Sequence, residues 1–122
     1  MTSTAQPGQT AISGAASAPG LGAALDQLWT RFLPEIRARV NLLETAAAAC
    51  AANRSTVEER EAAHAAAHKL AGTLGTFSLA HGTELAREFE LAILREDAPD
   101  PALAGRLTSI ATGLRAIVES RK

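Results

Sequence analysis

One cysteine, Cys50, is all the chain has, so no disulfide can close within it and no cysteine cluster is there to hold a metal. That usage is consistent with a reducing, cytoplasmic setting, and core packing is the expected role of Cys50. No run approaches the roughly 18 apolar residues of a membrane span, and Met1 to Gly20 has neither a basic start nor a long apolar segment, which argues against secretion. Neither sign of charge dominates. Twelve Lys plus Arg stand against 13 Asp plus Glu, which leaves no electrostatic footprint for nucleic acid or an anionic membrane. Protein partners are expected instead. Missing too are Gly-x4-Gly-Lys-Ser/Thr and Gly-x-Gly-x-x-Gly, the loops that cradle ATP or a dinucleotide, so any phosphate handled here must be brought by another protein. Gly-x-Ser-x-Gly and His-Glu-x-x-His are also absent, which removes the usual frames for serine hydrolysis and zinc chemistry.

What is present is helix. Residues 1–20 are dominated by Ser, Thr, Gln, Gly, Ala and Pro, a mixture too poor in large apolar side chains to offset the entropy of ordering, and they read as a flexible tail ahead of a domain over 21–122. Leu25, Leu28, Trp29 and Phe32 then recur at three- and four-residue steps, predicting a short amphipathic helix that ends near Pro34. Pro34 suits the first turn of the next helix, whose apolar seam is Ile36, Val40, Leu43, Ala47 and Cys50. Asn53 and Arg54 form the expected break.

Ser55-Thr56-Val57-Glu58 fits a capping box and predicts a helix running to about Phe77. It buries Ala63, Ala66, Ala67, Leu70, Leu74 and Phe77 and exposes Glu61, His64 and His68. A further helix over about Leu79 to Arg95 turns Gly82, Leu85, Phe89, Ala92 and Ile93 inward, with Arg87, Glu88 and Glu90 mostly outward. Ala98-Pro99-Asp100-Pro101 stops it, and Asp100 followed by Pro101 starts the last helix, with Leu103, Leu107, Ile110, Leu114, Ile117 and Val118 on its buried side. No strand-like alternation occurs. The expected fold is all-α: an antiparallel four-helix bundle with a short additional N-terminal helix.

The most informative stretch is His68-Lys69-Leu70-Ala71-Gly72-Thr73-Leu74-Gly75-Thr76-Phe77. At about 100° per residue, Gly72 falls about 40° to one side of His68 and Gly75 about 20° to the other, while Leu70, Leu74 and Phe77 lie more than about 100° away. The imidazole therefore points outward from a helix anchored behind it, with side chains removed beside it. Each glycine costs up to about 1 kcal/mol of helix stability relative to alanine, so their position on the histidine's side calls for a functional reason. A neutral imidazole, with an ordinary pKa of about 6.5, offers a nucleophilic ring nitrogen near neutral pH. His64, at i−4 from His68, is the competing histidine; with Glu61 it forms the nearest approach to a metal set, yet no further Cys or His accompanies them. His81 is expected to be structural or exposed.

Ala67 to Phe77, followed by Leu85-Ala86-Arg87-Glu88-Phe89-Glu90, resembles a histidine-containing phosphotransfer (HPt) domain. The resemblance implies a phosphoryl carrier with no ATP site of its own, not an enzyme in its own right. His68 would accept a phosphoryl group from a phospho-aspartate on a response-regulator receiver domain and pass it to another receiver. Partners would be receiver domains and a hybrid histidine kinase, and the divalent metal would sit on the receiver; this chain would bind no metal or cofactor, no nucleic acid and no membrane. Gly72 and Gly75 would leave room for the receiver. Two positions depart from the family's commonest pattern: the lysine three residues after the histidine is Ala71, and the residue after Phe77, often glycine, is Ser78. Lys69 is the cation nearest in sequence to take over phosphate contact, although it points about 100° from His68 rather than about 60°. Two other classes stand beside this reading: a bundle that binds a receiver or kinase without accepting phosphate, and a homodimerisation module using Leu91 and Leu94, against the expectation of a monomer.

Overall fold

The structure is a computed structural model that describes residues 19–95 and 100–121. The tail expected over 1–20 lies outside those residues except for its last two, as do Ala98 and Pro99 of the expected stop signal. Four helices make up the described residues: α1 over Pro19–Ala51, α2 over Val57–Thr76, α3 over Ala80–Ile93 and α4 over Pro101–Ser120. No strand occurs among them.

The separate leading helix is corrected. It is the first part of α1, which runs through Pro34 without interruption. Proline offers no N–H to the Thr30 carbonyl four residues back, and that loss ordinarily ends or kinks a helix. Here the flanking sequence, Leu33 before and Ile36-Arg37-Ala38 after, contains no competing cap or turn residue, so the lost bond alone does not stop the helix. The chain nonetheless divides into two compact units at this point, Met1–Leu33 and Pro34–Lys122. In the first, Trp29 is buried while Leu21, Leu28 and Phe32 are exposed.

In the second unit the helices alternate in direction. The register is read from side chains that meet: His68 and Glu90 join α2 to α3, Arg106 and Glu88 join α4 to α3, and Arg37 and Glu119 join α1 to α4. The apolar seams predicted for these helices converge into one core. Ile36, Val40 and Leu43 of α1, Leu70 and Leu74 of α2, Phe89 and Ile93 of α3, and Leu107, Ile110, Leu114 and Val118 of α4 have essentially no solvent exposure. Gly82 is placed by close approach: a Cβ there would stand 2.9 Å from the Leu74 side chain.

Both turns that end in a left-handed residue are Schellman closures. After α1, the Arg54 N–H donates to the Ala49 carbonyl and the Asn53 N–H to the Cys50 carbonyl, with Asn53 at φ 56°. After α2, the Leu79 N–H donates to Leu74 and the Ser78 N–H to Gly75, with Ser78 at φ 60°. Asparagine tolerates that conformation; serine has no such advantage, and this gives the physical reason a glycine suits the position. Ser78→Gly is therefore expected to stabilise the protein by about 1 kcal/mol, raising the melting temperature by a few degrees without altering the helical circular dichroism.

The capping box of α2 is shifted by one residue from its predicted register. Thr56, not Ser55, is the cap: its hydroxyl accepts from the Glu59 N–H at 3.0 Å, and the Glu59 carboxylate accepts from the Thr56 N–H at 3.0 Å. Ser55-x-x-Glu58 and Thr56-x-x-Glu59 both satisfy the pattern, and Ser55 is instead drawn to the Arg60 guanidinium at 3.0 Å. Asp100 caps α4 as predicted, accepting from the Ala102 N–H at 3.0 Å with Pro101 in the first turn.

Exposed ion pairs tie the outer faces. Arg37 donates to Glu119 through two bonds of 2.7 and 2.8 Å and holds that carboxyl below its ordinary value of 4.5; Arg106 does the same to Glu88. Because both native values are depressed, this stabilisation is complete above pH 4.5 and is lost as the pH falls through the native values. The expected effect is modest and screened by salt. In urea titrations at a series of pH values, the double variant Glu88→Gln, Glu119→Gln should show a flatter acid limb than the parent, with the difference shrinking in high salt.

Candidate functional site

His68 sits near the middle of α2, and its helix is held from behind by Ala67, Leu70, Ala71 and Leu74, all buried. Its own side chain is 70% exposed. Opposite it on α3, Phe89 points into the core, and Glu90, one residue further round the helix, reaches back across the α2–α3 seam. The alanines at 67, 71 and 86 keep the two helices close enough for that reach.

The Glu90 carboxylate accepts a 2.8 Å hydrogen bond from His68 Nδ1. With Glu90 as a carboxylate, Nδ1 is the donor of this bond, and in the neutral ring Nε2 then keeps its lone pair. Glu90 itself is only 17% exposed. The sequence reading that turned Glu90 mostly outward is thus corrected: it lies on the flank of α3 that faces α2, shielded between the two helices.

His64, read as exposed from the sequence, is half-buried. Its Nδ1 donates to the Glu90 backbone carbonyl at 2.9 Å, and its Nε2 lies 4.0 Å from the Glu90 carboxylate, beyond hydrogen-bond range. One glutamate thus engages both histidines, by its backbone and its side chain. Among the described residues no group of three or more His, Cys, Asp and Glu side chains gathers as metal ligands would.

The two glycines flank His68 as their spacing predicts. Both are exposed, and a Cβ at Gly72 would have nothing within 4 Å, so nothing among the described residues requires glycine there. A Cβ at Gly75 would make ordinary contact with the Thr83 hydroxyl at 3.6 Å. That hydroxyl donates to the Ala71 carbonyl at 3.3 Å and further ties α3 to α2. Ala71 is buried, so the position three residues after the histidine faces the packed side of α2. Lys69 is exposed and makes no hydrogen bond or ion pair among the described residues. His81 is exposed and pairs with Glu84 of its own helix at 3.7 Å, apart from the His68–Glu90 contact. Leu91, next to Glu90, is 77% exposed, and Leu94 is 41% exposed.

An outward imidazole with one nitrogen tied down, the other open and no nucleotide-binding loop is suited to receive and release a group carried by a visiting protein. Comparison with known proteins agrees. The Hpt domain family matches residues 27–119, which include all of α2 and α3. Protein RcaC of Microchaete diplosiphon is 30% identical over 91 residues, covering 75% of this chain. The chain spans only 14% of the length of that relative. No solved structure matches significantly. No helix among the described residues is long and apolar enough to cross a membrane. With a matched region that covers most of the chain and holds the histidine-bearing helix and its neighbour, the protein belongs to the Hpt domain family, the phosphotransfer modules of two-component phosphorelays.

Proposed function

We propose that His68 is the phosphoacceptor, taking a phosphoryl group from the phospho-aspartate of a receiver domain and passing it to the aspartate of another. The observation that carries this reading is the Glu90–His68 hydrogen bond, which leaves Nε2 as the free, solvent-facing nucleophile. The Nε2 lone pair attacks phosphorus, the N–P bond forms as the aspartyl O–P bond breaks, and the aspartate leaves as a carboxylate. The Nδ1 proton stays in place, and the positive charge that develops on the ring is balanced by the Glu90 carboxylate 2.8 Å away. Reversal of the same steps delivers the group to the next receiver.

The chain contributes the nucleophile, its orientation and an unobstructed approach; in-line alignment and neutralisation of phosphoryl charge come from the receiver, with its aspartate and a divalent metal. Lys69, which makes no hydrogen bond or ion pair among the described residues, is available to the incoming phosphoryl oxygens. Leu91 beside Glu90 offers apolar contact to a transient docking partner. The protein acts in the cytoplasm as a monomer.

Incubation with a panel of phosphorylated receiver domains tests the proposal: the chain should acquire an acid-labile label on His68, and no label from any receiver would overturn the assignment. Gly72 gives a second test. A side chain fits there at no internal cost, so Gly72→Gln should raise helix stability by up to about 1 kcal/mol. It should at the same time slow acceptance from a receiver by obstructing the approach to His68. Stability measured by thermal melting and transfer measured by label uptake are expected to move in opposite directions.

A further inference from the structure

Glu90 can hold His68 only if its own position is fixed, and it lies in the last turn of α3, where carbonyl groups run out of helical donors. The structure shows what is attached there. His64 Nδ1 stands 2.9 Å from the Glu90 carbonyl oxygen, and since a carbonyl only accepts, Nδ1 must carry the hydrogen. A donor at this end of a helix also meets the negative pole of the helix dipole, which favours the contact. His64 Nε2, at 4.0 Å from the Glu90 carboxylate oxygen, is too far to compete for it, so that oxygen is left to His68. His64 and His68 are one turn apart on α2, and Glu90 alone joins both. One helical face thus grips a single residue of α3 at its backbone and at its side chain.

We propose that His64 is a positioning residue for phosphotransfer: by pinning the Glu90 backbone it keeps the carboxylate on His68 Nδ1 and so keeps Nε2 free to react. The proposal rests on the phosphoacceptor reading of His68 and extends it to a residue that touches neither the phosphoryl group nor the ring that carries it. Loss of the pin lets the last turn of α3 shift, the carboxylate leaves Nδ1, and His68 reverts to the mixture of tautomers of a free imidazole, in which the Nε2–H form predominates and blocks the nucleophile. Displacements on this scale are costly in transfer reactions, where a misplacement of about 1 Å can cost about a hundredfold in rate.

The test compares the full chain with His64→Ala and His64→Asn. The amide nitrogen of asparagine falls close to where Nδ1 stands, so that variant can restore the donor without the ring. Nitrogen-15 NMR of the imidazoles reports the tautomer of His68 directly and independently of any receiver, while label uptake from a phosphorylated receiver reports transfer. The parent should show His68 as the Nδ1–H tautomer. His64→Ala should shift it toward the Nε2–H form and slow uptake on the order of tenfold while the helical circular dichroism is retained; His64→Asn should recover both. Parent-like tautomer and uptake in His64→Ala, or no difference between Ala and Asn, would overturn the proposal, since a merely structural residue would change the melting temperature without moving the tautomer. A parent protein that no receiver labels would overturn the phosphoacceptor reading alone, because the tautomer measurement does not depend on transfer.

Discussion

His68→Gln is expected to abolish acid-labile labelling while leaving the melting temperature within about 4 °C of the parent, because an exposed surface substitution away from packing features changes stability by no more than about 0.5 kcal/mol. The side chain is 70% exposed and its helix is anchored by Ala67, Leu70, Ala71 and Leu74, none of which the substitution touches. A glutamine amide can still reach the Glu90 carboxylate, so the α2–α3 seam survives. What it lacks is a nucleophilic nitrogen, since the amide lone pair is delocalised into the carbonyl, and no neighbouring group replaces it. His64 is the only other imidazole in contact with Glu90, and what separates it from His68 is access: its side chain is 36% exposed against 70% for His68, and its Nε2 lies 4.0 Å from the Glu90 carboxylate. Label uptake from a phosphorylated receiver should accordingly drop to background rather than to a fraction of the parent rate. Residual label of parental stoichiometry in this variant would sink the assignment and point to His64 or His81 instead.

The outward imidazole, its flanking glycines and the bundle behind it were legible because each depends on the spacing of residues along one helix, where a period of 3.6 carries the information. The same reasoning stops at the partner helix. Periodicity places Glu90 outward because the apolar stripe of α3 turns away from it, and a stripe says nothing about which flank another helix covers. A signal did exist: α2 and α3 are joined by only three residues, Phe77 to Leu79, so positions equidistant from that turn must meet, and this brings His68 opposite the stretch that contains Glu88 and Glu90. The fusion of the first two predicted helices has a different physical origin. Proline is favoured at the first turn and penalised in the interior, and local sequence cannot tell whether a lost hydrogen bond will be tolerated when no cap or turn residue competes for the break. The capping box is ambiguous by a single residue in sequence because Ser55 and Thr56 each have a glutamate three positions on, and the competing pull of Arg60 on Ser55 separates the two registers.

Phe89→Ala is the substitution expected to cost the fold most. Its ring has no solvent exposure and is the largest side chain wholly enclosed in the core, and truncating such a residue typically costs about 3–5 kcal/mol against a total stability of about 5–15. For a domain of this size that corresponds to a fall of more than about 10 °C in melting temperature, measurable by circular dichroism or calorimetry. The functional consequence follows from the neighbour in sequence. Phe89 packs α3 into the core, and Glu90, the next residue, reaches His68 from the flank of that same helix. Phe89→Leu, which keeps apolar volume but gives up the planar ring, should therefore remain folded at low temperature yet show a weakened Glu90–His68 bond, seen as partial loss of the Nδ1–H tautomer in nitrogen-15 spectra. A Phe89→Leu protein that is destabilised but keeps the parent tautomer in full would show that the pair is held by His64 and the α2–α3 turn without help from the core.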